Sequence, residues 1–248
     1  MEEKRILFLG ESYTGTFTYV RGADYVTLPA YSDGKGAGFC SMLRQGGFSV
    51  THMMTHDVVE HFPVTMEEMK EYDAVILSDV GSNTMLKNPS TGVRVNRLKL
   101  LRDYVYQGGG LLMCGGYFSF SGIGNTARYG MTPLAEVLPV EMLNWDDRME
   151  CPEGVRPQVL LKDHPTVEGL PADGWPILCG YNKVMPKPGA DVIASFGNDP
   201  FLAAMGFGKG RAYAFTSDCT PNWASEEFLS WEGYARLFTN IAEWICGR

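Results

Sequence analysis

The sequence is short of positive charge. Its 21 Lys and Arg stand against 29 Asp and Glu, a net charge of −8, which argues against nucleic acid or an anionic membrane surface as a partner. It also lacks an apolar run long enough to cross a bilayer. Met1–Arg5 leads directly into Ile6–Leu9 with none of the segments of a signal peptide. The six cysteines, at positions 40, 114, 151, 179, 219 and 246, form no Cys-x-x-Cys pair, and a chain of this size needs no disulfide staples. Reduced thiols and a cytoplasmic location are the expectation. No Gly-x4-Gly-Lys-[Ser/Thr] order occurs, nor a Gly-x-Gly-x-x-Gly after the first apolar run, so nucleotide binding is not expected. His52, His56 and His61 have no Cys or carboxylate at an established ligand spacing. Neither a metal nor a cofactor is expected.

What is present reads as a folded domain. Hydrophobic residues make up 45% and charged residues 20% of 248, close to globular averages and enough for a full core. No repeat or linker divides the chain. The expectation is one domain over residues 1–248, with an elaboration at about 117–210.

Arg5–Leu9 ends at Gly10, a short apolar run cut off by a turn former, as in a strand buried on both faces. Phe48–Met54, Ala74–Ser78 and Leu111–Cys114 follow the same pattern. Between them, Gly36–Gln45, Met66–Tyr72 and Arg94–Tyr106 carry helical spacing. A β-α-β order with a parallel sheet follows. Thr132–Leu138 reads as a short helix stopped by Pro139. Val192–Phe196, Phe201–Met205 and Arg211–Thr216 are short β-like runs that add antiparallel strands to the core. A last helix presents Phe228, Trp231, Ala235, Phe238, Ala242 and Ile245 to the sheet.

In an open parallel sheet, ligands gather outside the carboxyl ends of the strands. Glu11 and Ser12, Asp79, Cys114 and Asp218 all follow or end predicted strands, so several polar groups converge if those strands run parallel. Asp218 or Glu11 would serve as a general base; the alternative is that such acids cap helices or turns. Cys114, before Gly115 and Gly116, is either a core thiol continuing Leu111–Met113 or a nucleophile on a tight elbow. Tyr13, Tyr117, Phe118, Phe120, Trp223 and Trp231 either line a pocket for a sugar or another flat ligand or belong to the core and subunit contacts.

Gly109–Phe120, together with Gly10-Glu11-Ser12-Tyr13, Ser78-Asp79-Val80-Gly81-Ser82-Asn83 and Thr216–Trp223, resembles the class I glutamine amidotransferase-like proteins over nearly the whole chain. The resemblance implies a flavodoxin-like α/β three-layer sandwich with a mainly parallel central sheet and an added antiparallel segment. It also implies a nucleophile in Gly-x-Cys-x-Gly and a late His-Pro-Glu pair. Cys114-Gly115-Gly116 matches half of the first motif, with Leu112 in place of its leading Gly. No histidine follows His164, and His164-Pro165-Thr166, read here as a turn, lacks the Glu. A standard glutaminase is therefore not expected.

The site expected from these residues has Cys114, Asp218 and Glu11 in catalytic roles. Ser12, Tyr13, Asp79, Asn83, Gly115, Gly116, Tyr117, Ser217 and Trp223 would contact a small-molecule ligand. The chemistry expected is a hydrolase acting on an amide or a carbohydrate-related metabolite. The rival is a non-catalytic ligand-binding or assembly module. In either case a homo-oligomer is expected.

Overall fold

The computed structural model describes residues 3–32 and 35–247. The central sheet has eight strands in the order β4-β1-β5-β6-β14-β13-β12-β9. Its parallel half consists of β1 (Lys4–Gly10), β4 (Phe48–Met53), β5 (Ala74–Ser78), β6 (Gly110–Cys114) and β14 (Gly210–Phe215). The antiparallel half adds β9 (Gln158–Val159), β12 (Asp191–Phe196) and β13 (Asp199–Phe207). Three two-stranded ribbons complete the strands: β2 (Tyr13–Arg21) with β3 (Asp24–Ser32), β7 (Val140–Met142) with β11 (Val184–Pro186), and β8 (Arg148–Val155) with β10 (Leu178–Asn182). The α/β class with a mainly parallel sheet and an antiparallel addition agrees with the sequence reading. One strand differs in direction, since β14 runs parallel to β6 and antiparallel to β13.

The unbroken apolar runs are explained by the layering. Alternate residues of one strand enter different cores: Ile6 and Phe8 pack with Phe39, Leu43 and Phe238, while Leu7 and Leu9 pack with Leu98, Leu101 and Val105. Gly36–Gln45 and Glu232–Ile245 therefore cover one face and Arg97–Tyr106 the other. A strand buried on both sides selects apolar residues at nearly every position. Phe228, Phe238, Ala242 and Ile245 of the expected stripe are buried, Leu237 and Ile241 widen it, and Ala235 is exposed. No helix among the described residues is long and apolar enough to cross a membrane.

The β2–β3 hairpin has no counterpart in the sequence reading. Every residue of β2, and all of β3 except Ser32, is exposed. It leaves the body two residues after β1 ends.

Candidate functional site

The four parallel strands β1, β5, β6 and β14 end side by side, and the residues just past them form the floor of a cavity of about 770 Å³, a size suited to a small metabolite. Two tight backbone features make this floor possible. Gly10 has φ +112°, and a Cβ on it would stand 1.7 Å from the carbonyl oxygen of Ser78. Only glycine fits there. The chain then turns through Glu11 at φ 57°, and the equivalent turn after β5 places Asp79 at φ 55°. Non-glycine residues in this left-handed region carry strain that the surroundings must hold, and such positions cluster at functional sites.

Gly116, at φ +146°, lies between the acids. A Cβ there would meet Asp79 Oδ1 at 2.5 Å and Asp218 Oδ1 at 2.9 Å, so both carboxyl groups reach the same small space. Asp79 Oδ1 accepts from Phe118 N at 2.7 Å, and Ser119 Oγ accepts from Asp79 N at 3.2 Å. Asp218 Oδ2 accepts from Trp223 N at 2.9 Å. Burial raises the Asp79 carboxyl from 3.8 to about 6, with the nearby Glu11 charge adding to the rise and the Phe118 amide opposing it. Burial, then the Asp79 charge, holds Asp218 well above the ordinary carboxylate range. Two such neighbours lose their protons in succession as a pair.

Glu11 completes the cluster. Its two oxygens accept from Ser78 Oγ at 2.6 Å and Thr220 Oγ1 at 2.5 Å. Ser78 Oγ lies 3.4 Å from the Cys219 sulfur. Ser12, Tyr13, Asn83 and Tyr117 also line the cavity, and Ser12 Oγ accepts from Thr55 N at 2.8 Å. The structure thus brings together Glu11, Ser12, Tyr13, Asp79, Asn83, Tyr117 and Asp218 of the expected site.

Five expected positions do not line the cavity. Cys114 is fully buried in the core and is not among the cavity-lining residues. It ends β6 as a paired strand residue, opposite Ser78 and Phe215. The elbow nucleophile is corrected to a core thiol, because the left-handed turn that would expose a side chain comes two residues later, at a glycine. Ser217 is buried and donates to Gly180 O at 2.7 Å. Trp223 is buried, with its ring centroid 5.7 Å from that of Tyr117 and its indole N–H donating to Glu150. Gly115 and Gly116 supply backbone: Gly115 N donates to Phe215 O and Ser217 O, and Gly116 makes room for the acids. Of the remaining aromatics, Phe118 lines the cavity, Phe120 is buried in the core, and Trp231 packs on Trp175. Among the described residues no group of three or more side chains is placed to hold a metal ion.

A family model described as "Putative glutamine amidotransferase" matches residues 5–247. The chain belongs to this family. Two solved structures resemble this amidotransferase-like chain closely. Cytoplasmic protein STM3548 from Salmonella typhimurium is 38% identical, with a TM-score of 0.92 over 97% of this chain and 98% of that one. Cytoplasmic protein STM1381 from Salmonella typhimurium LT2 is 42% identical, with a TM-score of 0.91 over 97% and 99%. A β-galactosidase from Rahnella sp. R3 shares the fold, at 19% identity and a TM-score of 0.52, across 82% of this chain but 26% of its own. No curated protein matches.

The amidotransferase-like chain also places at the site residues that the sequence reading did not assign to it. Asn182, at the end of β10, donates to Gly116 O at 3.1 Å and to Asp147 Oδ1 at 2.8 Å, and accepts from Gly116 N at 2.9 Å. Asp147 also accepts from Ser121 N and Gly122 N, both at 2.9 Å. This buried pair fixes the turn on which the acids converge. Lys35, Thr55, His56, Lys87, Thr220 and Asn222 line the cavity as well. His56 is stacked edge-on against Tyr31, at 5.2 Å between centroids. The signal for Thr220 and Asn222 was their place beside Asp218 in one loop. His56 was a candidate for the site edge from the sequence; for Lys35, Thr55 and Lys87 the linear order offered no signal.

Proposed function

We propose that this protein is a cytoplasmic enzyme that binds a small polar metabolite at the strand ends and hydrolyses it, with Asp79 as general base and Asp218 as general acid. The observation that carries this reading is the convergence of the two carboxyl groups on Gly116 at the floor of an open cavity. Two acids in one place whose environments hold protons to different degrees are the usual equipment for moving a proton each way. In the proposed step, Asp79 takes a proton from water as its oxygen bonds to the substrate. Asp218 gives its proton to the departing group as the old bond breaks. Glu11, held by Ser78 and Thr220, orients substrate hydroxyl or amide groups, and Tyr117 and Phe118 offer apolar faces beside them. An amide or a carbohydrate-related compound suits this mixture of carboxyl groups and rings. The cytoplasmic placement is supported by six cysteines that are all free and by the names of the two Salmonella proteins.

A thermal-shift screen of small hydroxylated and amide-bearing metabolites tests the reading. A true ligand raises the wild-type Tm by about 5 to 10 °C at roughly a hundred times its Kd. Asp218→Asn and Asp79→Asn should abolish hydrolysis of that ligand, whereas Cys114→Ser should leave it turning over. Hydrolysis should increase as the pH rises through about 6, where Asp79 becomes a base. A hit hydrolysed equally well by both Asp variants, or no hit at all, overturns the proposal.

A further inference from the structure

The β2–β3 hairpin inverts the usual placement of residues. Nine residue pairs join Tyr13–Arg21 to Asp24–Ser32, and nine residues of strand extend about 30 Å. Phe17, Tyr19, Val26 and Leu28 share one face of the ribbon, with Phe17 opposite Leu28 and Tyr19 opposite Val26. Val20 and Tyr25 share the other. Tyr25 is 77% exposed, Val20 68% and Phe17 54%. With Tyr13, Tyr19, Val26, Leu28 and Tyr31, also exposed, these side chains present on the order of 1,000 Å². Divided between the two faces, this gives each an apolar patch as large as the largest on a typical monomer. Among the described residues no third strand pairs with either edge. An isolated two-stranded ribbon is marginal in water, so a ribbon of this length requires cover.

The chemistry of the ribbon selects its occupant. Residues 13–32 contain one cation and one anion, Arg21 and Asp24, which face each other at the tip. A strongly basic or acidic partner finds no field there to read. The rest of the molecule is acidic, and a neutral, apolar surface is where two copies of a chain with net charge −8 meet with least repulsion. An unpaired strand edge running antiparallel to its own copy satisfies its hydrogen bonds under two-fold symmetry. Cover of both faces together, about 1,000 Å², would reach the roughly 800 Å² per partner of a stable interface.

We propose that this hairpin is the arm through which two copies of the chain assemble, each arm lying antiparallel against the other copy. The site is involved as well. Tyr13, Thr14 and Ser32, at the root of the arm, line the cavity, so the partner that holds the arm steadies one cavity wall.

Light scattering of the wild-type protein across micromolar concentrations should give at least twice the mass of one chain, and differently tagged copies should co-purify. Phe17→Glu combined with Tyr25→Glu should reduce the mass to that of a single chain and abolish co-purification, with an unchanged circular dichroism spectrum. Amide exchange provides a check that needs no variant: residues 13–32 of the wild type should exchange more slowly as concentration rises. A wild-type chain that stays single, a double variant that assembles like the wild type, or arm amides that exchange rapidly at every concentration would overturn the proposal.

Discussion

The cavity floor and the hairpin arm break opposite rules. At the floor, Asp79, Asp218, Asp147 and Asn182 are placed in or against the interior, where carboxyl and amide groups are costly unless paired. On the arm, Phe17, Tyr19 and Tyr25 stand in water, where rings are costly unless covered. The floor resolves its cost within the chain, by backbone amides and side-chain hydrogen bonds. On the arm, nothing among the described residues buries these rings. Functional capacity is thus stored in two forms: acids held in a poor solvent, and apolar surface held in the wrong one.

The sharpest way to break the floor is Gly10→Ala. The new methyl would stand within bonding range of the Ser78 carbonyl, between two hydrogen-bonded strands. We expect a loss of more than about 4 kcal/mol, read by denaturant unfolding or as failure to recover folded protein. Asp147→Ala is next. It leaves the Ser121 and Gly122 amides and the Asn182 side chain without their acceptor, and should cost about 3 kcal/mol in the same measurement.

The smallest effect has the opposite sign. The Asp79 carboxyl is raised from 3.8 to about 6 in the folded chain. As pH rises between these values the unfolded chain gives up its proton first, so the wild type loses stability across that window and carries the full cost above it. Asn tolerates the left-handed backbone at this position and carries no charge. Asp79→Asn should therefore be more stable than wild type by about 1 to 2 kcal/mol at neutral pH, with the gain fading as pH falls from about 6 and gone below about 4. An equal gain at all pH values would show that the charge is not the cause.

Strands buried on both faces were the most legible part of the chain. Ile6–Leu9, Ala74–Ser78 and Leu111–Cys114 are unbroken apolar runs ending at turn residues, and parallel order then placed Glu11, Asp79 and Asp218 on one edge. The arm was passed over although Thr14, Thr16 and Thr18 alternate with Gly15, Phe17 and Tyr19 before a turn at Gly22. That period-two pattern normally marks a half-buried strand, and here neither half is buried. Cys114 was ambiguous because a core residue and a nucleophile can occupy the same last position of a strand; the backbone angle that separates them is not written in the local sequence. Asp147 and Asn182 were unreadable for another reason. Each becomes important only when folding brings it to the turn from Gly116 to Gly122, and Asn182 lies 66 residues from Gly116.

The connection between β1 and the arm consists of Glu11 and Ser12 alone. A side chain of the carboxyl cluster and the foot of a ribbon about 30 Å long thus share a single backbone turn, one already wound into a left-handed conformation at Glu11. Mechanically this is a lever with its fulcrum in the site. A displacement of the arm is passed through the foot of β2 to Glu11 and from there to Ser78 and Thr220, and on the β3 side to His56, against which Tyr31 packs.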